Sequence, residues 1–135
     1  MPVQAHSANK FHVLLHESDE QLLWALERVL RSRMPAHWIL TATARGGEVF
    51  YLLRRYPFDL VITVPPDGDA NPSQTLALWQ GISKDAAFIV MSDRQSAIDR
   101  RVLRSAPPMI ELEKPFTLPT FYHAVRRAGT WTGEV

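Results

Sequence analysis

The chain of 135 residues contains no cysteine. Disulfide bonds, thiolate zinc sites, iron–sulfur clusters and cysteine nucleophiles are therefore excluded. Long apolar runs are also lacking, since none approaches the roughly 20 residues that a membrane-spanning helix requires. The first residues, MPVQAHSANK, lack the apolar centre of a secretory signal peptide. A chain without cysteine is compatible with a reducing compartment, and we expect a cytoplasmic protein with no membrane contact.

An excess of charge of either sign is lacking as well. The 15 lysines and arginines nearly balance the 14 aspartates and glutamates, so the formal net charge is +1. No global basic field draws such a protein to DNA or RNA. Direct binding to nucleic acid is therefore not expected.

The motifs of common enzymes and metal sites are missing too. The sequence has no Gly-x-Ser-x-Gly nucleophile turn and no glycine-rich phosphate-binding loop. His12 and His16 are four residues apart on a predicted strand, which separates them by roughly 13 Å, too far for one metal ion. We expect a protein that is not an enzyme and that holds neither a metal nor another cofactor.

What the sequence does have is the composition of one globular domain. Hydrophobic residues make up 46% of the chain and charged residues 21%, which is ordinary for a folded protein. The length fits a single domain with its own core. We predict a domain over residues 10–128, an N-terminal tail over 1–9 and a C-terminal tail over 129–135.

Strand and helix patterns alternate along this domain. Short apolar runs predict five strands, over residues 11–16, 38–43, 59–64, 87–92 and 109–113. Apolar residues at helical spacing predict five helices, which end near Arg33, Tyr56, Ile82, Arg104 and Arg127. The apolar stripe of the second helix is predicted to be Val49, Leu52, Leu53 and Tyr56. The fourth of these helices is predicted over residues 95–104. Such alternation predicts an α/β fold, a five-stranded parallel sheet with helices on both faces, of the flavodoxin-like, doubly wound kind.

In sheets of this kind, functional sites lie at the carboxyl ends of the strands. Four strand ends carry the residues of interest, which are Glu17, Ser18 and Asp19 after the first strand, Val64 after the third, Ser92 after the fourth and Lys114 after the fifth.

These strand ends, with the stretches VLLHESDEQLLWAL, GGEVFYLLRRYPFDLVITV, FIVMS and LEKPF, resemble the receiver domain of bacterial two-component response regulators. The resemblance covers residues 10–127, and the Lys-Pro pair after the fifth strand is its most specific feature. It implies a (βα)5 fold and a role in signal transduction. A working receiver takes a phosphoryl group on an aspartate after the third strand, beside an acidic pair that holds Mg²⁺.

The positions that match the receiver pocket are only partly kept. The resemblance places Glu17 at one acidic position, Ser92 at the hydroxyl position and Lys114 at the lysine that binds phosphoryl oxygens. Ser18 stands at the second acidic position, with Asp19 next to it, and Val64 stands at the phospho-acceptor. Because valine has no nucleophile, it cannot be phosphorylated.

The fifth strand departs from the receiver pattern too. Receivers carry an aromatic switch residue in this strand, where the sequence has Glu111. Lys114 has two possible roles without a phosphoryl group, pairing with Glu17 across the strand ends or binding an anion or a partner.

The sequence therefore predicts an atypical receiver domain that signals by phosphorylation-independent protein–protein interaction. Two alternatives remain open. One is a phosphorelay receiver that uses a displaced acceptor, Asp67 or Asp69. The other is a small flavin- or nucleotide-binding protein of the same fold.

A partner surface is expected on the fourth helix, fifth strand and last helix, which the receiver family uses for dimers and partners. The residues assigned to it are Arg100, Arg101, Arg104, Glu111, Glu113 and Tyr122. We expect a signalling protein or a second copy to bind there. Trp24 lies outside the apolar stripe of the first helix, and two interpretations remain open: an exposed anchor for a partner, or a side chain that packs on the tail.

Overall fold

A computed structural model describes residues 10–66, 71–93, 98–103 and 109–131 of the chain. Its five strands are β1 (Phe11–His16), β2 (Trp38–Thr43), β3 (Leu60–Thr63), β4 (Ala87–Ser92) and β5 (Met109–Glu113). Its four α-helices are α1 (Glu20–Arg33), α2 (Gly46–Arg55), α3 (Pro72–Ile82) and α4 (Leu118–Trp131).

The strands form one parallel sheet in the order β2-β1-β3-β4-β5. This is the order of flavodoxin-like folds, in which the chain reverses its direction of travel across the sheet between β1 and β3. The predicted doubly wound parallel sheet is therefore confirmed. Four of the five strands have the predicted bounds, and β3 is one residue shorter at each end.

Alternate residues of the central strands enter two separate cores, because successive side chains of a strand point to opposite faces of the sheet. On one face, Val13 and Leu15 of β1 join a cluster that contains Leu26 of α1 and Phe121 of α4. On the other face, Leu14 joins the cluster that includes residues of α2 and α3. Strands buried on both faces are typical of parallel sheets covered by helices.

The predicted fourth helix over residues 95–104 is wrong in its described part. Residues 98–103 contain only a short 3₁₀ turn, Arg100–Val102. The Asp99 carboxylate accepts a hydrogen bond from the Arg101 backbone N–H, and the Asp99 N–H donates to the buried Ser73 Oγ at 2.8 Å. Aspartate bonds of this kind compete with the hydrogen bonds of an α-helix.

Two ends of helices also differ from the prediction. Tyr56 was expected in the apolar stripe of the second helix, yet it is the residue at which α2 ends, and it is exposed. Helix α4 continues through Trp131, three residues into the segment predicted to be the C-terminal tail. None of the helices in the described part of the chain is long and apolar enough to cross a membrane.

Candidate functional site

A buried ion pair crosses the carboxyl edge of the sheet. Glu17 directly follows β1 and is only 1% exposed, and its Oε1 lies 2.8 Å from the Nζ of Lys114, which follows β5. Since β3 and β4 lie between β1 and β5, the pair spans the ends of both strands. Of the two roles considered for Lys114, the structure has the pairing with Glu17.

The other acidic residue of this edge serves helix α1. The Asp19 carboxylate accepts hydrogen bonds from the backbone N–H groups of Gln21 and Leu22, at 3.0 and 3.2 Å, and so caps the helix. The Asp19 N–H in turn donates to Glu17 Oε2 at 3.0 Å. Both oxygens of Glu17 are thus engaged with groups of the chain itself.

The end of β3 is apolar where the resemblance expects an aspartate. Val64 is buried and belongs to the core on the side of α1 and α4. Just before it, the Thr63 hydroxyl donates to the Val64 carbonyl at 3.0 Å. The same hydroxyl lies 2.7 Å from Nδ1 of the buried His16 at the end of β1.

Strands β4 and β5 complete the edge. The Lys114 N–H donates to the Ser92 carbonyl at 2.7 Å and continues the pairing of the two strands. The buried Ser92 hydroxyl donates to Oε2 of Glu111 at 3.3 Å. The predicted hydroxyl and switch positions therefore contact each other directly, and the glutamate is half-buried.

These residues do not fit a Mg²⁺ site. Magnesium prefers several oxygen ligands in near-octahedral order. One carboxylate of this edge is held by an ammonium group, the second caps a helix, and the third position is the valine side chain of Val64. Among the described residues, no group of three or more histidines, aspartates or glutamates is placed to hold a metal ion. Asp67 and Asp69 lie outside the described residues.

Beside this edge, a pocket of about 490 Å³ opens between α2 and α3. Gly46, Gly47 and Phe50 of α2 and Leu78 and Trp79 of α3 line it. His16, Ser18, Ala44, Pro66 and Thr75 complete the lining. Ser18, which is predicted to belong to the receiver pocket, thus lines this neighbouring pocket.

Two glycines stand at the start of the α2 wall of the pocket. A Cβ on Gly46 would lie 3.5 Å from Nε2 of His16, and a Cβ on Gly47 would meet nothing within 4 Å. The edge of the Trp79 ring packs against His16, with centroids 6.1 Å apart, and so forms the buried floor.

Sequence reasoning considered His16 only as a metal ligand and missed this pocket. One signal was available, because Phe50 falls outside the predicted apolar stripe of its helix. A large apolar side chain outside such a stripe is predicted to face solvent or a partner.

Two charged residues of the predicted partner surface are exposed. Arg101 is highly exposed and pairs with Asp99 at 3.1 Å, and Glu113 is exposed. Tyr122 instead turns to helix α1, where its hydroxyl donates to the Arg33 carbonyl at 3.0 Å. Arg104 lies outside the described residues, and Arg100 begins the 3₁₀ turn.

The Asp99–Arg101 contact also changes the acidity of Asp99. Hydrogen bonds from the Arg101 side chain and backbone N–H lower the pKa of the Asp99 carboxyl. Since these bonds favour the charged form, the direction follows from simple electrostatics.

Known proteins match this chain in structure, whereas no family model and no curated protein matches its sequence. A response regulator receiver protein from Sinorhizobium medicae has a TM-score of 0.71 at 21% identity, over 93% of this chain and 97% of that chain. The non-phosphorylated HemR receiver domain from Leptospira biflexa has a TM-score of 0.69 at 24% identity, over 88% and 94%.

A third structure, described as adenylate cyclase from Rhodopirellula baltica, has a TM-score of 0.71 at 16% identity, over 91% and 90%. At these identities the likeness shows the fold. The chain has the fold of response regulator receiver domains, as the resemblance implied.

Proposed function

We propose that this chain is an atypical receiver domain that accepts no phosphoryl group and signals in the cytoplasm through protein–protein contact. The observation that carries the proposal is the buried Val64 at the end of β3. A receiver needs a carboxylate there as the nucleophile, and a valine side chain offers no lone pair for attack on phosphorus.

The surrounding charges support the same proposal. In a working pocket, a metal ion and a lysine neutralise the charge of the transferring phosphoryl group. Here Lys114 already neutralises Glu17 at 2.8 Å. The Lys114 ammonium group is therefore neutralised without a ligand, and a second anion would have to displace the Glu17 carboxylate from it.

Intact mass after incubation with acetyl phosphate and Mg²⁺ tests the proposal. We expect no phosphoryl adduct on the wild-type chain and no Mg²⁺-dependent NMR shifts when a beryllium fluoride mimic is added. Val64→Asp alone should take little phosphoryl group, because Ser18 still leaves the metal site short of a carboxylate. Val64→Asp combined with Ser18→Asp is the matched comparison and should take more.

A labile acyl-phosphate adduct on the wild-type chain would overturn the proposal. It would favour a displaced acceptor, and Asp67→Asn and Asp69→Asn would then show which residue carries the group. Efficient phosphorylation of Val64→Asp alone would show that the remaining pocket binds metal better than its contacts predict.

For the partner surface, the proposal keeps Arg101 and Glu113 as the exposed charges that face a signalling protein or a second copy. Sedimentation velocity of Arg101→Glu beside the wild-type chain tests the second copy. A dimer that the variant weakens supports this surface, and a dimer of unchanged strength excludes Arg101 from the interface.

A further inference from the structure

Helix α2 exposes two large aromatic rings. The buried residues of this helix are Val49 and Leu53, and the two aromatic residues that follow Val49 lie outside this buried stripe. Phe50 is 38% exposed and Tyr51 is 54% exposed. Neither ring is needed to close the core, since the buried stripe of the helix already covers the sheet.

Two arginines cover these rings without pairing with acids. The Arg54 guanidinium lies 5.5 Å from the centroid of Phe50, and that of Arg55 lies 5.1 Å from the centroid of Tyr51. Among the described residues, neither arginine forms an ion pair, whereas Arg31, Arg45 and Arg101 each pair with a carboxylate. The outer side of α2 therefore carries positive charge that no carboxylate among the described residues neutralises through an ion pair.

Helix α3 extends this surface. Leu78 is 53% exposed and lines the 490 Å³ pocket together with Phe50. We call the surface formed by Phe50, Tyr51, Arg54, Arg55 and Leu78 the α2–α3 seam. The pocket at its start has an apolar wall on each helix and a buried tryptophan at its floor, so it suits an apolar side chain.

A second concavity of about 360 Å³ lies at the other end of the seam. Arg54, Arg55 and Lys84 contribute three positive charges to its lining, and Asp85 contributes one negative charge. The seam thus runs from an apolar pocket to a cationic one, along the length of α2.

We propose that the α2–α3 seam docks an acidic protein segment, whose apolar side chain enters the 490 Å³ pocket and whose carboxylates bind Arg54 and Arg55. Charge complementarity selects this occupant. Arginine binds carboxylates through two parallel hydrogen bonds, and its stacking on an aromatic ring leaves the edge of the guanidinium free to make them. The inference deepens the proposed function, because it gives the partner a chemistry and a surface.

The test uses two labelled peptides and the full chain. The acidic probe has the sequence EEDLWDEE and the neutral control has the sequence QQNLWNQQ. Fluorescence polarisation measures affinity, and NMR of the ¹⁵N-labelled chain locates the contact. We expect the acidic probe to bind at least tenfold more tightly, to weaken with added salt, and to shift the amides of Gly47, Phe50 and Leu78.

Matched variants separate the seam from other exposed aromatic surfaces. Arg54→Gln combined with Arg55→Gln should weaken the acidic probe about tenfold and leave the neutral peptide unchanged. Phe50→Ser should weaken both peptides. Arg28→Gln combined with Trp24→Ser on α1, where an arginine also lies over an exposed ring, is the control and should change neither.

Several results would overturn this inference. They are equal binding of the two peptides, probe-induced shifts confined to α1 or to the carboxyl edge of the sheet, and tighter binding of an oligothymidine than of the acidic probe. Dimerisation through the seam, abolished by Arg54→Gln with Arg55→Gln, would assign the surface to a second copy instead. None of these outcomes depends on phosphorylation, so the mass measurement above fails or succeeds separately.

Discussion

The carboxyl edge of the sheet and the α2–α3 seam handle their charges in opposite ways. At the edge, the buried Glu17 is neutralised by Lys114, and Asp19 is used to cap a helix. On the seam, Arg54 and Arg55 are exposed and lie on aromatic rings, and no carboxylate in the described part of the chain forms an ion pair with them. The comparison teaches that one fold can neutralise a buried charge at one edge from within the chain while it leaves arginines on a neighbouring surface exposed.

Burial explains why the two regions differ in energy. A buried charge that loses its partner is strongly destabilising, because it has neither water nor a counter-charge. An exposed guanidinium keeps much of its hydration, so its contacts contribute little to folding. Charges at the edge are therefore expected to matter for stability, and charges on the seam for binding.

The largest expected effect comes from breaking the ion pair at the edge. Lys114→Met leaves the Glu17 carboxylate buried and unpaired, and should lower the free energy of unfolding by about 3 kcal/mol. Urea unfolding followed by circular dichroism measures the change. Glu17→Gln combined with Lys114→Met should recover most of the loss, and the exposed Lys84→Met is the control. A loss no larger than that of Lys84→Met would show that the edge is as solvated as the seam.

A smaller effect is expected from the support of α3, which carries one side of the seam. Ser73→Ala removes the buried hydroxyl that accepts from the Asp99 N–H, and should cost about 1.5 kcal/mol. Chemical denaturation is the measurement, with the exposed Ser32→Ala as the matched variant. If both variants unfold at the same denaturant concentration, the 3₁₀ turn does not help to hold α3.

The seam should respond weakly in the same assay. Arg54→Gln combined with Arg55→Gln removes two exposed cation–π contacts and should change the free energy of unfolding by less than about 1 kcal/mol. A loss as large as that of Lys114→Met would contradict the distinction between the two regions, since it would make the seam a structural element of the fold.

The smallest effect concerns pH. The pKa of Asp99 is lowered by its hydrogen bonds from Arg101, so its contribution to stability is present above the ordinary aspartate pKa of about 3.9 and is lost as the pH falls through the lowered value. Because the pair is exposed, we expect only a slight loss of stability in that acidic range. Carboxyl ¹³C NMR should give a titration midpoint below 3.9, and Arg101→Gln should raise it.

The success of the strand predictions has a local cause. FHVLLH and AFIVMS are apolar runs bounded by polar or turn-forming residues, and strands buried on both faces have this pattern wherever they lie in the sheet. The helix predicted over residues 95–104 is wrong partly because of a contact between residues that are distant in the sequence. Its apolar spacing was right for a helix, but Asp99 bonds to Ser73, which is 26 residues away.

In the candidate site, too, some features follow from residue type or local spacing, whereas others depend on contacts between distant residues. The proposed absence of a phospho-acceptor at Val64 rests on residue type alone, because no fold gives valine a nucleophile. Phe50 and Tyr51 could be placed outside the buried stripe of α2 from spacing. Their pairing with Arg54 and Arg55 follows from the spacing of four residues within one helix.

By itself, the sequence determined the parallel α/β architecture, the apolar end of β3 and the residues that α2 leaves outside the core. Periodicity and residue chemistry are local properties, and they settle such features. Only the tertiary structure decided that Lys114 meets Glu17 at 2.8 Å, that Nδ1 of His16 lies 2.7 Å from the Thr63 hydroxyl, and that Leu78 and Phe50 line the same pocket. These are distances between elements far apart in the chain, and the packing of helices on a twisted sheet sets them.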